Sequence, residues 1–267
     1  RYRYHIELNV YWSWIPQEFQ DFNRQLSAFG PQSTRLEMNN QFDMLKDDDS
    51  GEEREEVQIE PSLNKDDIED PHQIEWPTVK CKQGEHQLQY SYCVWFSRRT
   101  PGNKASSANY EQNIKIIGSF ASVEQFWTLY SHIARPCDLT SSSDYHLFKH
   151  GIKPMWEDEA NKKGGKWIVR LRKGLASRLW ENLVIAMLGE QFMVGEEICG
   201  AVVSVRFAED IISIWNRTAS DNSINIRVRD TLQRVLNLPP NTIMEYKTHT
   251  DSLKDRSSFR NTDVFMR

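Results

Sequence analysis

Leu88 to Ser97 read LQYSYCVWFS. Leu88, Tyr90, Tyr92, Val94 and Phe96 alternate with Gln89, Ser91, Cys93, Trp95 and Ser97, and that period of two predicts a half-buried strand. Outward from it, further strands are predicted at 110–118, 167–173, 199–207, 210–216 and 241–248. The last opens after Pro239–Pro240, which cannot continue a preceding helix. Three helical stretches interrupt them. Ser122 and Gln125 form a capping box ahead of VEQFWTLYSHIA, where Val123, Phe126, Trp127, Tyr130 and Ile133 recur at helical spacing. Ser177 is placed to cap RLWENLVIAMLGE, whose Leu179, Trp180, Leu183, Val184, Met187 and Leu188 make one apolar stripe. Asp221 or Asn222 opens a third helix with Val228, Leu232, Val235 and Leu236 inward. Elements in this mixed order predict an α+β fold, an antiparallel sheet with helices stacked on one face.

The chain has 267 residues, enough for one substantial core. No apolar run reaches membrane-spanning length and no charged-then-apolar leader is seen, so a soluble cytoplasmic protein is expected. Cys81, Cys93, Cys137 and Cys199 are widely spaced, without a CxxC pair, and are expected as thiols rather than metal ligands or disulfides. The net charge of -5 is uneven: residues 40–79 hold fourteen Asp/Glu against three Lys/Arg and residues 1–37 balance to zero, which leaves 80–267 at +6. A basic folded part suits a phosphate-bearing ligand. Residues 1–37, which precede the first methionine, Met38, are expected to be an extension without a necessary role in the fold. Residues 38–79 form an acidic lead-in too poor in apolar side chains to offset ordering entropy. A ligand-binding domain is expected over 80–250, followed by a basic tail over 251–267.

Gly151 to Trp167 read GIKPMWEDEANKKGGKW. An exposed Trp156 beside Glu157 suits a flat cationic ring with paired N–H donors, because the indole face attracts a cation and a carboxylate accepts two parallel bonds. A positively charged purine has both properties. With HQLQYSYCVWF (86–96), SVEQFWTLYSHI (122–133), SDYHLFK (143–149), LWENLVIAMLGE (179–190), CGAVVSVR (199–206), SIWN (213–216) and LNLPPNTIMEYKTH (236–249), this stretch resembles the eukaryotic initiation factor 4E family, which binds the 7-methylguanosine cap of messenger RNA. Tyr110, where better-known members carry tryptophan, resembles the 4E-homologous protein subclass of translational repressors. The resemblance implies a curved sheet with three helices on its convex side and the cap in its concave side.

It also implies roles for single residues. Trp156 and Tyr110 match the two stacking positions, and Glu157 would accept the N1 and N2 hydrogens of guanine. Trp215 resembles the tryptophan that contacts the N7-methyl group and Arg206 the phosphate-binding arginine, and Lys166, at a basic position before the second motif tryptophan, would join Arg206 on the phosphates. Where better-known members place a second phosphate-contacting lysine this chain has Ile211, which leaves Arg170 on a neighbouring strand as a substitute. Trp127, with Val123, Leu188 and bordering His86, resembles the convex surface that receives a tyrosine–leucine motif of partner proteins. The expected function is repression of selected capped transcripts by competition with the general factor, with recruitment of the initiation scaffold as the alternative.

A magnesium-dependent hydrolase using Glu157, Asp158 and Glu159 is the rival from another class. The chain has no GxxxxGK[ST], HExxH or nucleophile elbow, so a non-enzymatic, monomeric binding protein without cofactor or metal is expected.

Overall fold

The computed structural model describes residues 76–98 and 113–265. Eight strands, β1 (Gln87–Arg98), β2 (Ile114–Ser122), β3 (Ser143–Lys149), β4 (Gly165–Leu171), β5 (Ile198–Val205), β6 (Asp210–Asn216), β7 (Met244–Thr248) and β8 (Asp263–Phe265), form one antiparallel curved sheet in the order β2-β1-β3-β5-β6-β4-β7-β8. Register irregularities between Gln87 and Tyr92, between Val94 and Trp95, and between Ile198 and Gly200 bend it locally, as bulges do.

The pleat sends alternate residues to opposite faces. One face carries Tyr92, Val94, Phe96, Leu147, Val169, Val203 and Ile212 into an apolar core against three helices, α1 (Val123–Tyr130), α2 (Ala176–Leu188) and α3 (Asn222–Val235). From these helices Phe126, Trp180, Leu183, Val228 and Leu232 meet the sheet, each 3 % exposed or less. The predicted stripes of α2 and α3 are therefore the packed faces. A fourth helix, α4 (His249–Lys254), follows β7 directly. Residues 251–265, read from sequence as a tail, end α4 and supply edge strand β8, which pairs with β7 from Met244↔Phe265 to Tyr246↔Asp263.

Helix starts follow local chemistry in three cases of four, Thr248 Oγ1 accepting from Asp251 N at 3.0 Å at the start of α4. Ser122 Oγ accepts from Gln125 N at 3.2 Å, while Gln125 Oε1 accepts from Ala121 N at 3.0 Å and its amide donates to Glu85 at 2.6 Å. The capping box is thus tied into the segment before β1. Asp221 Oδ1 accepts from Ser223 Oγ at 2.7 Å, Ile224 N at 3.1 Å and Ser223 N at 3.0 Å, and these bonds, the hydroxyl's first, hold its carboxyl below the usual range. Ser177 does not cap α2. The helix starts two residues earlier, at Ala176, with Leu175 as a cap lacking a side-chain bond, and Ser177 Oγ accepts from Cys137 N at 2.9 Å instead.

β1 departs from the half-buried reading. Cys93, Trp95 and Ser97, on the face opposite the helices, are also buried. Trp76 packs edge-on against Trp95 at 5.6 Å, Cys93 Sγ lies 2.6 Å from Ser119 Oγ, and Ser97 Oγ lies 3.0 Å from His146 Nε2. β3, a central strand between β1 and β5, was not predicted at all, because SDYHLFK neither alternates cleanly nor runs apolar. No helix among the described residues is long and apolar enough to cross a membrane.

Leu183 is fully buried at the middle of α2. Leu183→Ala is expected to cost about 2–5 kcal/mol, since a cavity remains when a core leucine is truncated. A urea midpoint equal to wild type would contradict this packing.

Candidate functional site

On the face away from the helices, Phe148, Ile152, Cys199, Val202 and Trp215 form a second, small apolar cluster, with Trp156 half-buried at its edge. The 151–164 loop that presents Trp156 is folded by two side chains. Asp158 accepts from Lys153 N at 3.0 Å and Ala160 N at 2.9 Å, and fully buried Asn161 donates to Lys153 O and Met155 O, both at 2.8 Å. Asp158 is accordingly a loop anchor and points its charge at backbone amides. Glu157 stands exposed on the outer rim beside Trp156. Gly164 closes the loop where a Cβ would meet Asn216 O at 2.0 Å, and its carbonyl accepts from His249 N at 2.9 Å. Gly200 serves Trp215 in the same way, since a Cβ there would meet the Phe148 ring at 2.4 Å. Phe148 thereby reaches Trp215 edge-on, with centroids 5.3 Å apart.

Strand register aligns the polar side of the cleft. Lys166 is the partner of Trp215 on β6 and of Lys247 on β7. Its ammonium lies 5.4 Å from the Trp215 ring, 5.9 Å from Trp156 and 4.9 Å from Phe259. Behind Trp215, the His249 ring packs at 4.1 Å, fully buried, and neither of its nitrogens has a hydrogen-bond partner among the described residues. Burial first, then the charge of Lys166, hold its pKa well below the usual 6.5.

The structure therefore brings Trp156, Lys166 and Trp215 to one end of the cleft, with exposed Glu157 next to Trp156 in the chain. Arg170 and Arg206 belong to the other. Trp215 and Asp210 are five residues apart on β6, about 17 Å at ~3.3 Å per residue, and Arg206 follows β5 just past the pair Val205↔Asp210. Both arginines are engaged. Arg206 Nη2 donates to Asp144 at 2.6 Å and its Nη1 to Val205 O at 3.0 Å. Arg170 donates to Glu245 at 2.7 Å, to Glu209 at 2.6 Å and to Phe259 O at 3.3 Å. Ile211, 3 % exposed, is the partner of Arg170 on the cleft floor. Tyr110 lies outside the described residues. Phe259 and His249 were not anticipated; nothing local to the sequence signals that Phe259 returns to Lys166.

On the convex side Val123 and Trp127 are 38 % and 44 % exposed on α1, and Trp127 leans on Phe126 at 4.9 Å. His86 borders them, with its ring Nδ1 2.6 Å from Glu124 Oε1 and its carbonyl accepting from Val123 N at 2.9 Å. Leu188 is half-buried against the core, whereas Ile185, one turn earlier, is 41 % exposed and stands out from α2. All four cysteines are free thiols, and burial pushes Cys93 up to about 11 and Cys199 up to about 12.

The model of the family "Eukaryotic initiation factor 4E" matches residues 87–264, and the chain belongs to that family. Among its relatives, "Eukaryotic translation initiation factor 4E-4" of Caenorhabditis elegans is 53 % identical over 178 residues, covering 67 % of this chain and 84 % of that protein. "Eukaryotic translation initiation factor NCBP" of Oryza sativa is 47 % identical over 216 residues, covering 79 % and 94 %. The solved complex of C. elegans eIF4E-3 with the 4E-binding protein Mextli and a cap analog superposes with a TM-score of 0.60 at 38 % identity, over 67 % of this chain and 99 % of that one. Ascaris suum eIF4E-3 with m7G cap does so with the same score at 38 % identity, over 68 % and 98 %.

His249 gives the fold a defined pH response. Unfolded chains protonate this imidazole near 6.5 while the folded one resists, so the unfolded state binds more protons below that pH and stability falls as pH falls through it. His249→Phe, which keeps the ring contact with Trp215, is expected to lose less of its urea midpoint between pH 7 and pH 5.5 than wild type; equal losses would contradict a neutral buried His249.

Proposed function

We propose that this chain binds the 7-methylguanosine cap of messenger RNA and represses translation of selected transcripts by excluding the general cap-binding factor. The observation that carries the reading is the Lys166 ammonium lying within 6 Å of three aromatic rings, Trp156, Trp215 and Phe259. The faces of Trp156 and Trp215 suit N7-methylated guanine, a flat cation, while the Lys166 ammonium beside them suits the negative phosphates that follow the base. Stacking between Trp156 and Tyr110 gains about 1–2 kcal/mol per face beyond ordinary contact. Glu157, on the rim next to Trp156, accepts the paired N–H groups that guanine offers and adenine does not, worth about 1–3 kcal/mol of discrimination. The cap complexes of the eIF4E-3 relatives support the same reading.

Repression follows from weak, assisted binding. A tyrosine at position 110 and an isoleucine at 211 supply less stacking and less charge than tryptophan and lysine would. A weak competitor acts where partners concentrate it, and a second attachment raises effective concentration by orders of magnitude. The exposed apolar patch of Val123 and Trp127, with Leu188 and His86 around it, suits a tyrosine–leucine helix on an RNA-bound partner; the complex of C. elegans eIF4E-3 with Mextli supports that use. A second reading, a productive factor recruiting the initiation scaffold, is favoured by relatives named translation initiation factors.

Quenching of tryptophan fluorescence by 7-methyl-GTP is expected, with GTP a much poorer ligand. Trp156→Ala should abolish binding without unfolding and Tyr110→Trp should strengthen it; GTP competing as well as the methylated form would end the cation–π account. Tethered to a reporter message, the protein should lower expression, and repression recruited through a partner should vanish in both Trp127→Ala and Trp156→Ala. Raised expression would favour the productive factor.

A further inference from the structure

β4 and β7 set two lysines opposite each other. Lys166 and Lys247 are register partners facing the cleft, each 2 % exposed, with Trp215 on the far side of Lys166. Residues directly opposite in antiparallel strands have Cβ atoms about 4.5–5.5 Å apart, and like charges there repel. A pair with repulsion built in becomes favourable when an anion lies over it.

Here the segment between α4 and β8 supplies that anion. Asp255 Oδ2 accepts from Lys247 Nζ at 2.6 Å, and the carbonyl of Arg260 accepts a second bond from the same ammonium. The carbonyl of Phe259 accepts from Arg170, and Thr262 Oγ1 donates to Glu245 at 2.6 Å. Carboxylate and carbonyl oxygens of one short segment thus occupy positions around the cleft cations that phosphate oxygens could take. The partners differ in how firmly they are held. Asp144 of Arg206 and Glu245 of Arg170 sit on strands β3 and β7. Asp255 sits just past a six-residue helix, and its other bonds, from Ser257 N at 3.0 Å and Asn261 Nδ2 at 3.1 Å, come from its own segment, so the counterion of Lys247 can leave together with residues 255–261 without disturbing a strand.

We propose that Lys247 is a polyphosphate-binding residue of the cleft and that Asp255, with the 255–262 segment, is its internal competitor, displaced when a nucleotide polyphosphate enters. Lys247 would offset the cation missing at Ile211. For the base the proposal rests on the cap reading above; for the phosphates it stands on the lysine pair.

The test uses the full chain, with 7-methylguanosine, its triphosphate and inorganic tripolyphosphate as probes. Lys247→Met is expected to weaken the triphosphate at least about fivefold, the scale of one charge-assisted bond, and to leave the nucleoside unchanged. Asp255→Asn is expected to strengthen the triphosphate about two- to fivefold by removing the competing charge, again without effect on the nucleoside. Lys247→Met binding the triphosphate like wild type, losing nucleoside and triphosphate equally, or Asp255→Asn weakening the triphosphate would each overturn the proposal. If wild type binds no methylguanosine, the reading of the base pocket fails, and tripolyphosphate titration of wild type against Lys247→Met then decides the lysine site by itself: a difference supports it and equality overturns it.

Discussion

A slip of one residue between β4 and β6 would carry Lys166 and Arg170 into the apolar core and Trp167 into the cleft, because strand side chains alternate with a strict period of two. What fixes the register is Trp167. Its ring is 2 % exposed against Tyr246 and its Nε1 donates to Asn225 O at 3.0 Å, so β4 is pinned to α3 as well as to its strand neighbours. Asn225 in turn accepts from Asn216, and Asn216 accepts from Tyr246, a buried chain of polar contacts joining α3, β6 and β7. The placement of Lys166 and Arg170 in the cleft depends on this one indole facing the other way.

The cleft is basic by composition but closely balanced in its charges. Arg206 is paired with Asp144, Arg170 with Glu245 and Glu209, Lys173 with Asp210, and Lys247 with Asp255. A surface arginine with two carboxylates presents little net field, so ligand anions must exchange with existing partners. The aromatic end differs, since its Trp215, Phe148 and His249 contacts are apolar and preformed. The apolar contacts around Trp215 and the paired cations thus lie side by side on the same strands, Lys166 and Lys247 level with Trp215 and Arg170 four residues further along β4.

Much of this was legible in the chain. The alternation of β1, the Ser122 and Asp221 caps and the stripes of α2 and α3 are local patterns, and local patterns decided them. β3 was hidden because its polar residues are satisfied at long range: Asp144 by Arg206, 62 residues on, and His146 by Ser97, 49 residues back. Ser177 misled for the same reason, its hydroxyl being taken by Cys137 N, 40 residues away. Of the candidate site, GIKPMWEDEANKKGGKW holds both Trp156 and Lys166, whose ammonium the structure sets 5.9 Å from the Trp156 ring. Leu188 ends the core-facing stripe and is half-buried, whereas Ile185 lies off that stripe and is 41 % exposed. No local pattern could give Lys247 its partner, because the return of residues 255–262 is decided by the pairing of β8 with β7.

The strand order has a consequence for biosynthesis. β1, β2 and β3 are neighbours in space and emerge together, so those three of the eight strands can pair at once. β4 cannot. Its two neighbours are β6 and β7, and roughly forty residues separate its end at Leu171 from the start of β6 at Asp210. At about 5–20 residues per second a ribosome takes on the order of 2–8 s to deliver them. Throughout that interval the apolar side of KWIVRL has neither a strand partner nor α3 to cover it. The nascent chain passes through a state with an unpaired, hydrophobic central strand, a moment at which cotranslational chaperones have a defined segment to hold.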